Sequence, residues 1–243
     1  MIRARWAQAV FVFAVLVAGC AQQSLGPASG VDPARNPDRA LRQDYDRVAA
    51  QGRSVFRIDA EQSLVVITVR RGGSLARLGH DHVVASHAVQ GWMAPDVGRA
   101  DLWVPLADLS VDEPALRAEA GLDTQPSASD IVGTRANMQD KVLDVQEHPY
   151  ALIHVASVDR TPPGVRLNLA LTLRGVTRTF TVPALVQADA QTMEVGGGFE
   201  FNQSDFGIVP FSILGGAIQV QDRLSLRFRI RATRAPRASD RPD

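Results

Sequence analysis

Apolar and polar residues alternate along most of the chain with a period of two. Every second residue is a large apolar one in 165–173, and in 218–230 apolar side chains face one side while arginines and glutamines face the other. Only a β-strand with one buried and one wet face satisfies this period. The same pattern predicts strands near 55–59, 64–70, 83–93, 100–106, 151–158, 177–187 and 195–202.

Three segments follow a helical spacing instead. Residues 127–144 carry Ile131, Met138 and Val142, and Ser129-Asp130 opens the segment as an N-cap with negative charge in the first turn. Residues 113–120 are a shorter candidate. Residues 38–51 predict one short helix lying on the domain, with apolar side chains at helical spacing at Leu41, Tyr45 and Val48.

This order of elements predicts an all-β fold, a closed or nearly closed antiparallel barrel of about eight or nine strands with a helical insertion. The strands follow one another too closely for the crossover helices of a parallel sheet. The interior of an eight-stranded barrel is either just filled by side chains or able to hold one small ligand. The alternation alone leaves both arrangements open.

The first nineteen residues are typical of an export signal. Arg3 and Arg5 precede an apolar stretch that is too short for a bilayer span, which needs about 20 apolar residues. Leu16-Val17-Ala18-Gly19-Cys20 resembles a bacterial lipobox, whose cysteine is acylated through sulfur and becomes the first residue of the mature protein. The alternative is an ordinary signal peptide with a chance cysteine. Ala21, in place of the Asp of an inner-membrane retention signal, favours the outer membrane.

The chain is therefore predicted to divide into a signal peptide (1–19), a lipid-anchored tether (20–53), a barrel domain (54–233) and a disordered tail (234–243). The tether is rich in small, polar and charged residues, so it buries too little apolar surface to offset its chain entropy. Acyl chains contribute about 0.8 kcal/mol for each buried CH₂. The expected location is the bacterial cell envelope, with the domain lipid-anchored and facing the periplasm.

Composition excludes several classes of protein. Lys and Arg together number 26 against 26 Asp and Glu, so the basic excess of a nucleic-acid-binding protein is absent. Cys20 has no partner for a structural disulfide. The sequence contains no nucleophile elbow, phosphate-binding glycine loop or His-Glu-x-x-His helix, and we expect a protein that is not an enzyme.

Three segments carry a family resemblance. The stretch from Leu169 through Arg174-Gly175 to Pro183 has a strand, turn, strand signature, Val142 to Tyr150 joins a helix end to a strand, and Asp205-Phe206-Gly207-Ile208 forms a loop. Over residues 55–232 the chain resembles the YceI-like family of lipid- or polyisoprenoid-binding proteins. That resemblance implies a lipocalin-like barrel whose apolar lumen binds or shuttles an isoprenoid or acyl lipid without covalent chemistry. The only cofactor-like molecule it implies is that bound isoprenoid lipid.

Apolar residues of the predicted strands are the candidate ligand-binding residues. Burial of an isoprene chain contributes about 25 cal/mol per Å² of apolar surface, so no specific polar contact is required. The same residues would also make an ordinary closed core. They are Leu167, Leu169, Leu171, Phe180, Val182, Phe199, Phe201, Leu226 and Phe228.

The Gly79-His80-Asp81-His82 motif departs from the pattern of the family. Imidazoles at i and i+2 of an extended chain share one face, and His80 and His82 are candidate metal ligands, with a third from His87, His148 or His154. The alternative is that the pair forms hydrogen bonds to turn backbone. His154, among apolar neighbours, is expected to be a satisfied buried histidine. Metal binding would make the domain a metal- or stress-related periplasmic binding module.

Overall fold

The computed structural model describes residues 36–236, and the predictions for the signal peptide, for Cys20 and for the last seven residues lie outside this range. Three α-helices lie within it: α1 (Asp38–Ala50), α2 (Pro114–Glu119) and α3 (Ala128–Asn137), the last extended by a π-helical turn at Met138–Val142. None of these helices combines the length and the apolar character needed to cross a bilayer. The strands are β1 (Phe56–Ile58), β2 (Leu64–Val69), β3 (Arg71–Gly72), β4 (His82–Ser86), β5 (Gln90–Ala94), β6 (Arg99–Pro105), β7 (Ser110–Val111), β8 (Tyr150–Thr161), β9 (Gly164–Leu173), β10 (Val176–Ala188), β11 (Thr192–Asn202), β12 (Ser212–Ile213), β13 (Ile218–Val220) and β14 (Arg223–Arg234).

Eight antiparallel strands close into a barrel in the order β1-β5-β6-β8-β9-β10-β11-β14, and β14 pairs with β1 to complete the ring. One edge of β14 pairs with two strands: its last residues pair with β1, and residues 225–229 pair with β2. From β2 the sheet continues through β4 to β7. A separate small sheet contains β12, β13 and β3. The predicted all-β barrel with a helical insertion is confirmed.

Two predicted strands are each divided in the structure. The segment 83–93 forms β4 and β5, which pair with different neighbours, because the chain turns at 87–89 while Val89 stays fully buried and keeps the apolar pattern unbroken. The segment 218–230 forms β13 in the small sheet and β14 in the barrel. The N-cap of α3 is Ser127 rather than Ser129, since the Ser127 side chain accepts from the Asp130 amide in a capping box.

Helix α1 packs on the outer surface of the barrel, as its spacing predicts. Leu41 and Tyr45 are buried against Trp92 and Trp103 of β5 and β6. The last part of the predicted tether is therefore folded onto the domain. Directly after β14, Ala235 donates a hydrogen bond to the carbonyl of Val55.

A buried carboxylate fastens α1 to the barrel. The Tyr45 hydroxyl donates to Asp101 Oδ2 at 2.9 Å, Arg99 Nε donates to the same oxygen at 2.7 Å, and His154 Nδ1 lies 2.6 Å from Oδ1. Burial alone would raise the pKa of Asp101, but the hydrogen bond from His154 and the charge of Arg99 outweigh it and lower that pKa. Burial and the adjacent carboxylate raise the pKa of the Tyr45 hydroxyl. His154 thus has a hydrogen-bond partner as predicted, but it is half-buried rather than buried.

Gly91 in β5 is a position that only glycine fits. Its φ is +150°, and a Cβ there would meet the Asp101 carbonyl oxygen and lie 2.8 Å from Leu102 Cα, both backbone atoms that cannot rotate away. We expect Gly91→Ala to lower the free energy of unfolding by about 2 kcal/mol. Gly133→Ala is the control, because a Cβ in α3 meets nothing within 4 Å, and it should raise stability by about 0.5–1 kcal/mol. Urea denaturation measures both, and an unchanged midpoint for Gly91→Ala would contradict the prediction.

Candidate functional site

A cavity of about 1320 Å³ runs through the barrel. Strands β2, β4, β6, β8, β9, β11 and β14 all contribute inward side chains to its wall. Its volume exceeds the roughly 300–1,000 Å³ of ordinary ligand pockets. The lumen is therefore open, which decides between the two barrel interiors that the sequence allowed.

Seven of the nine predicted ligand-binding residues line this cavity: Leu167, Leu169, Leu171, Phe199, Phe201, Leu226 and Phe228. The other two, Phe180 and Val182, lie on the same face of the sheet as their β9 partners Leu169 and Leu167, but they do not line the cavity. Val182 is completely buried, and the ring of Phe180 packs 4.9 Å from that of Phe199, centroid to centroid. Phe180 and Val182 thus belong to the packed core beside the cavity rather than to its lining.

The opposite side of the wall contains residues that the sequence analysis did not single out. Val65 and Ile67 of β2, Val84 of β4 and Leu102 of β6 all face the cavity. The signal for them was present, because they occupy alternate positions of predicted strands. The midsection of the lumen is consequently apolar around its circumference.

The helical insertion supplies polar side chains at one end of the cavity. Asp130, Thr134 and Asn137 lie on one face of α3 at i, i+4 and i+7, and all three line the cavity. His80 and His82 line the same cavity, close enough that a positive charge on either would lower the pKa of Asp130. We call these five residues the collar. The hydrogen bond from the Ser127 side chain holds the pKa of Asp130 below its ordinary value, so this member of the collar is a carboxylate.

His82 is held in place by a buried ion-pair network. Its Nδ1 lies 2.6 Å from Asp112 Oδ2 and must donate, since a carboxylate only accepts. Asp112 also accepts from the Val83 amide at 3.0 Å and from Arg117 Nη1 at 2.5 Å. Burial alone would raise the pKa of Asp112, but these hydrogen bonds outweigh it and lower that pKa. His82 therefore has a structural hydrogen bond, but to the Asp112 side chain rather than to turn backbone as predicted.

The three histidines proposed as third metal ligands lie elsewhere or have other partners. His87 contacts Glu113 at 3.0 Å, His154 contacts Asp101, and His148 lies beside Gly175. The rings of His80 and His82 are 6.2 Å apart and edge-on. Within residues 36–236, no group of three or more His, Cys, Asp or Glu side chains is arranged to hold a metal ion.

Comparison with known proteins agrees with this geometry. The sequence profile of the YceI-like domain matches residues 56–232. No curated protein matches the chain. Among solved structures, a polyisoprenoid-binding domain from Saccharophagus degradans, implicated in plant cell wall breakdown, has a TM-score of 0.54 at 14% identity and covers 74% of this chain and 98% of its own. BcnA from Burkholderia cenocepacia has a TM-score of 0.51 at 17% identity, covering 72% and 99%. These similarities show a shared fold.

Proposed function

This chain belongs to the YceI-like domain family, and from that premise we propose that its barrel binds or shuttles an apolar lipid, an isoprenoid or acyl chain, held in the lumen. The observation that carries the proposal is the open cavity of about 1320 Å³ with an apolar midsection. The polyisoprenoid binding of the Saccharophagus degradans domain supports the same class of ligand.

The wall provides enough driving force without covalent chemistry. Each buried CH₂ contributes about 0.8 kcal/mol, so ten of them supply roughly 8 kcal/mol, the free energy of a micromolar dissociation constant before the costs of binding are subtracted. The ring formed by β2, β4, β6, β9 and β14 contributes Ile67, Val84, Leu102, Leu169 and Leu226 to such a contact. Specificity for chain type then depends on shape rather than on a charged partner.

Native purification followed by mass spectrometry of an organic extract tests this function. We expect an isoprenoid or acyl lipid at close to one molecule per protein. An elemental scan of the same sample is the control for the histidine alternative. Stoichiometric metal with no extractable lipid would replace lipid binding by the metal-related function.

We also propose that the protein is a lipoprotein of the bacterial outer membrane, anchored through Cys20 with its barrel facing the periplasm. The lipobox-like sequence before Cys20 supports this, and sulfur is the acylation site. Cys20→Ser should therefore release the protein from membranes or leave it as an unprocessed precursor. Membrane fractionation with intact-mass measurement checks the outcome, with Ser24→Ala as a neighbouring control. A Cys20→Ser protein of mature mass that stays in the detergent-extracted membrane fraction would refute the anchor.

A further inference from the structure

The polar side chains of the cavity wall are concentrated at its ends, and the two ends differ. At the end opposite the collar, Asp96 accepts from the Ser54 amide at 2.7 Å, Arg99 donates to Asp101, and Ser157 Oγ accepts from Asn168 at 2.9 Å. Arg160 there is exposed to solvent. Polar groups at that end are already satisfied by protein partners or by water.

Three collar side chains have hydrogen-bonding groups without a partner among the described residues. The structure gives the side chains of Thr134 and Asn137 no hydrogen-bond partner among residues 36–236, and both are half-buried where they face the lumen. His82 uses Nδ1 for Asp112, which leaves Nε2 as its other hydrogen-bonding atom. Neither the Thr134 nor the Asn137 side chain is fully buried, so water reaches both polar groups in the empty lumen, and each can form a hydrogen bond to a ligand that displaces that water.

The charges around the collar disfavour an anionic ligand. Asp130 adds an exposed carboxylate at its rim, where it accepts from Ser127, and Arg71, which lines the same end of the cavity, is paired with Asp123 at 3.3 Å. Arg117, behind His82, is paired with Asp112. A phosphate or carboxylate entering here would find both guanidinium groups already paired with carboxylates.

We propose that the collar is a binding site for the uncharged polar end of a single-chain lipid, a hydroxyl or carbonyl group, while the chain lies in the apolar lumen. The inference rests on the proposed lipid-binding function and adds the direction in which the lipid lies and the chemistry of its end. Thr134 and Asn137 form the hydrogen bonds from α3, and His82, fixed by Asp112, forms one from β4. The helical insertion is thus the element that distinguishes one end of the lipid from the other.

Three C20 compounds with the same branched skeleton test the collar: phytol with a hydroxyl end, phytane with none, and phytanate with a carboxylate. Each is titrated against the full-length protein preloaded with the fluorescent apolar probe N-phenyl-1-naphthylamine. We expect phytol to displace the probe about tenfold more tightly than phytane, the effect of one or two net hydrogen bonds. Phytanate should bind more weakly than phytol.

The discriminating variant is Thr134→Val/Asn137→Leu, which removes hydroxyl and amide with little change of shape. It should bind phytol and phytane within about threefold of each other and keep the wild-type affinity for phytane, which also shows that the lumen is intact. The matched control is Ser157→Ala/Arg160→Met at the opposite end, and it should keep the phytol preference. If the double collar variant loses phytane as well, the single Asn137→Leu variant carries the same comparison.

The outcomes separate the two proposals. A phytol preference that survives in the collar variant, or that disappears in the opposite-end variant instead, overturns the collar while lipid binding stands. Tightest binding of phytanate overturns the uncharged class of ligand. Failure of all three compounds to displace the probe overturns the lipid-binding function and the collar with it.

Discussion

Replacing Asp101 by alanine is expected to lower the free energy of unfolding at pH 7 by about 3–5 kcal/mol, the usual cost of breaking a buried ion pair from one side. The Asp101 side chain is 4% exposed and accepts hydrogen bonds from Tyr45, Arg99 and His154. Without it the Tyr45 hydroxyl is buried with no acceptor, and α1 loses its polar attachment to the barrel. Urea denaturation followed by circular dichroism measures the loss.

The control for this prediction is Asp44→Ala. Asp44 also faces Arg99, at 3.7 Å, but its side chain is 32% exposed, so its loss should cost less than about 1 kcal/mol. A similar loss of stability in both variants would show that the burial of Asp101 does not increase its contribution, and would contradict this prediction.

The same network sets a pH dependence. The folded-state pKa of Asp101 is lowered relative to the unfolded value of about 3.9. Its stabilisation is therefore fully present above about pH 4 and is lost as pH falls through the folded-state pKa. The difference in stability between wild type and Asp101→Ala should narrow in that range, and a constant difference between pH 7 and pH 3 would contradict the direction of the shift.

The barrel was predictable because most of its strands are wet on one face and apolar on the other. The sequence of β9 alternates in this way, and its inward leucines were identified as candidate ligand-binding residues from sequence alone, although Ala170 and Thr172 on its other face are also buried. β6 does not: Ala100, Leu102 and Val104 face inward, while Trp103 is buried on the outer face beneath α1. A strand that is buried on both faces loses the alternation of apolar and polar residues, and its sequence does not show which element covers the second face.

The collar was not predictable for a related reason. Asp130, Thr134 and Asn137 follow a helical period, but a polar stripe on a helix ordinarily indicates its solvent face. Only the closure of the barrel turns this stripe toward a cavity. The histidine motif was visible in the sequence, but its partners are distant in the chain: Asp112 lies just before α2 and Arg117 lies within it, and the sequence does not show locally that they pack on the motif.

Narrowing the lumen at Leu226 should abolish ligand binding without unfolding the protein. Leu226 is the fourth of the twelve residues of β14, it lies between Phe199 and Ile67 on the neighbouring strands, and its side chain faces the cavity. In Leu226→Trp the added indole extends into open space rather than into packed side chains, so we expect a stability change of about 1 kcal/mol or less. The affinity for the lipid should fall at least a hundredfold, because the lipid chain can no longer pass this part of the lumen.

Ser225→Trp is the matched control, since the adjacent side chain on the same strand points to solvent. Lipid content by mass spectrometry and probe affinity should match wild type in this variant and be lost in Leu226→Trp. Wild-type lipid content in a folded Leu226→Trp protein would mean that the ligand does not occupy the part of the lumen beside Leu226. Loss of folding in Leu226→Trp alone would mean that the space beside Leu226 is packed core. The predicted result, a folded protein without lipid, requires both an open lumen and a ligand that runs through it.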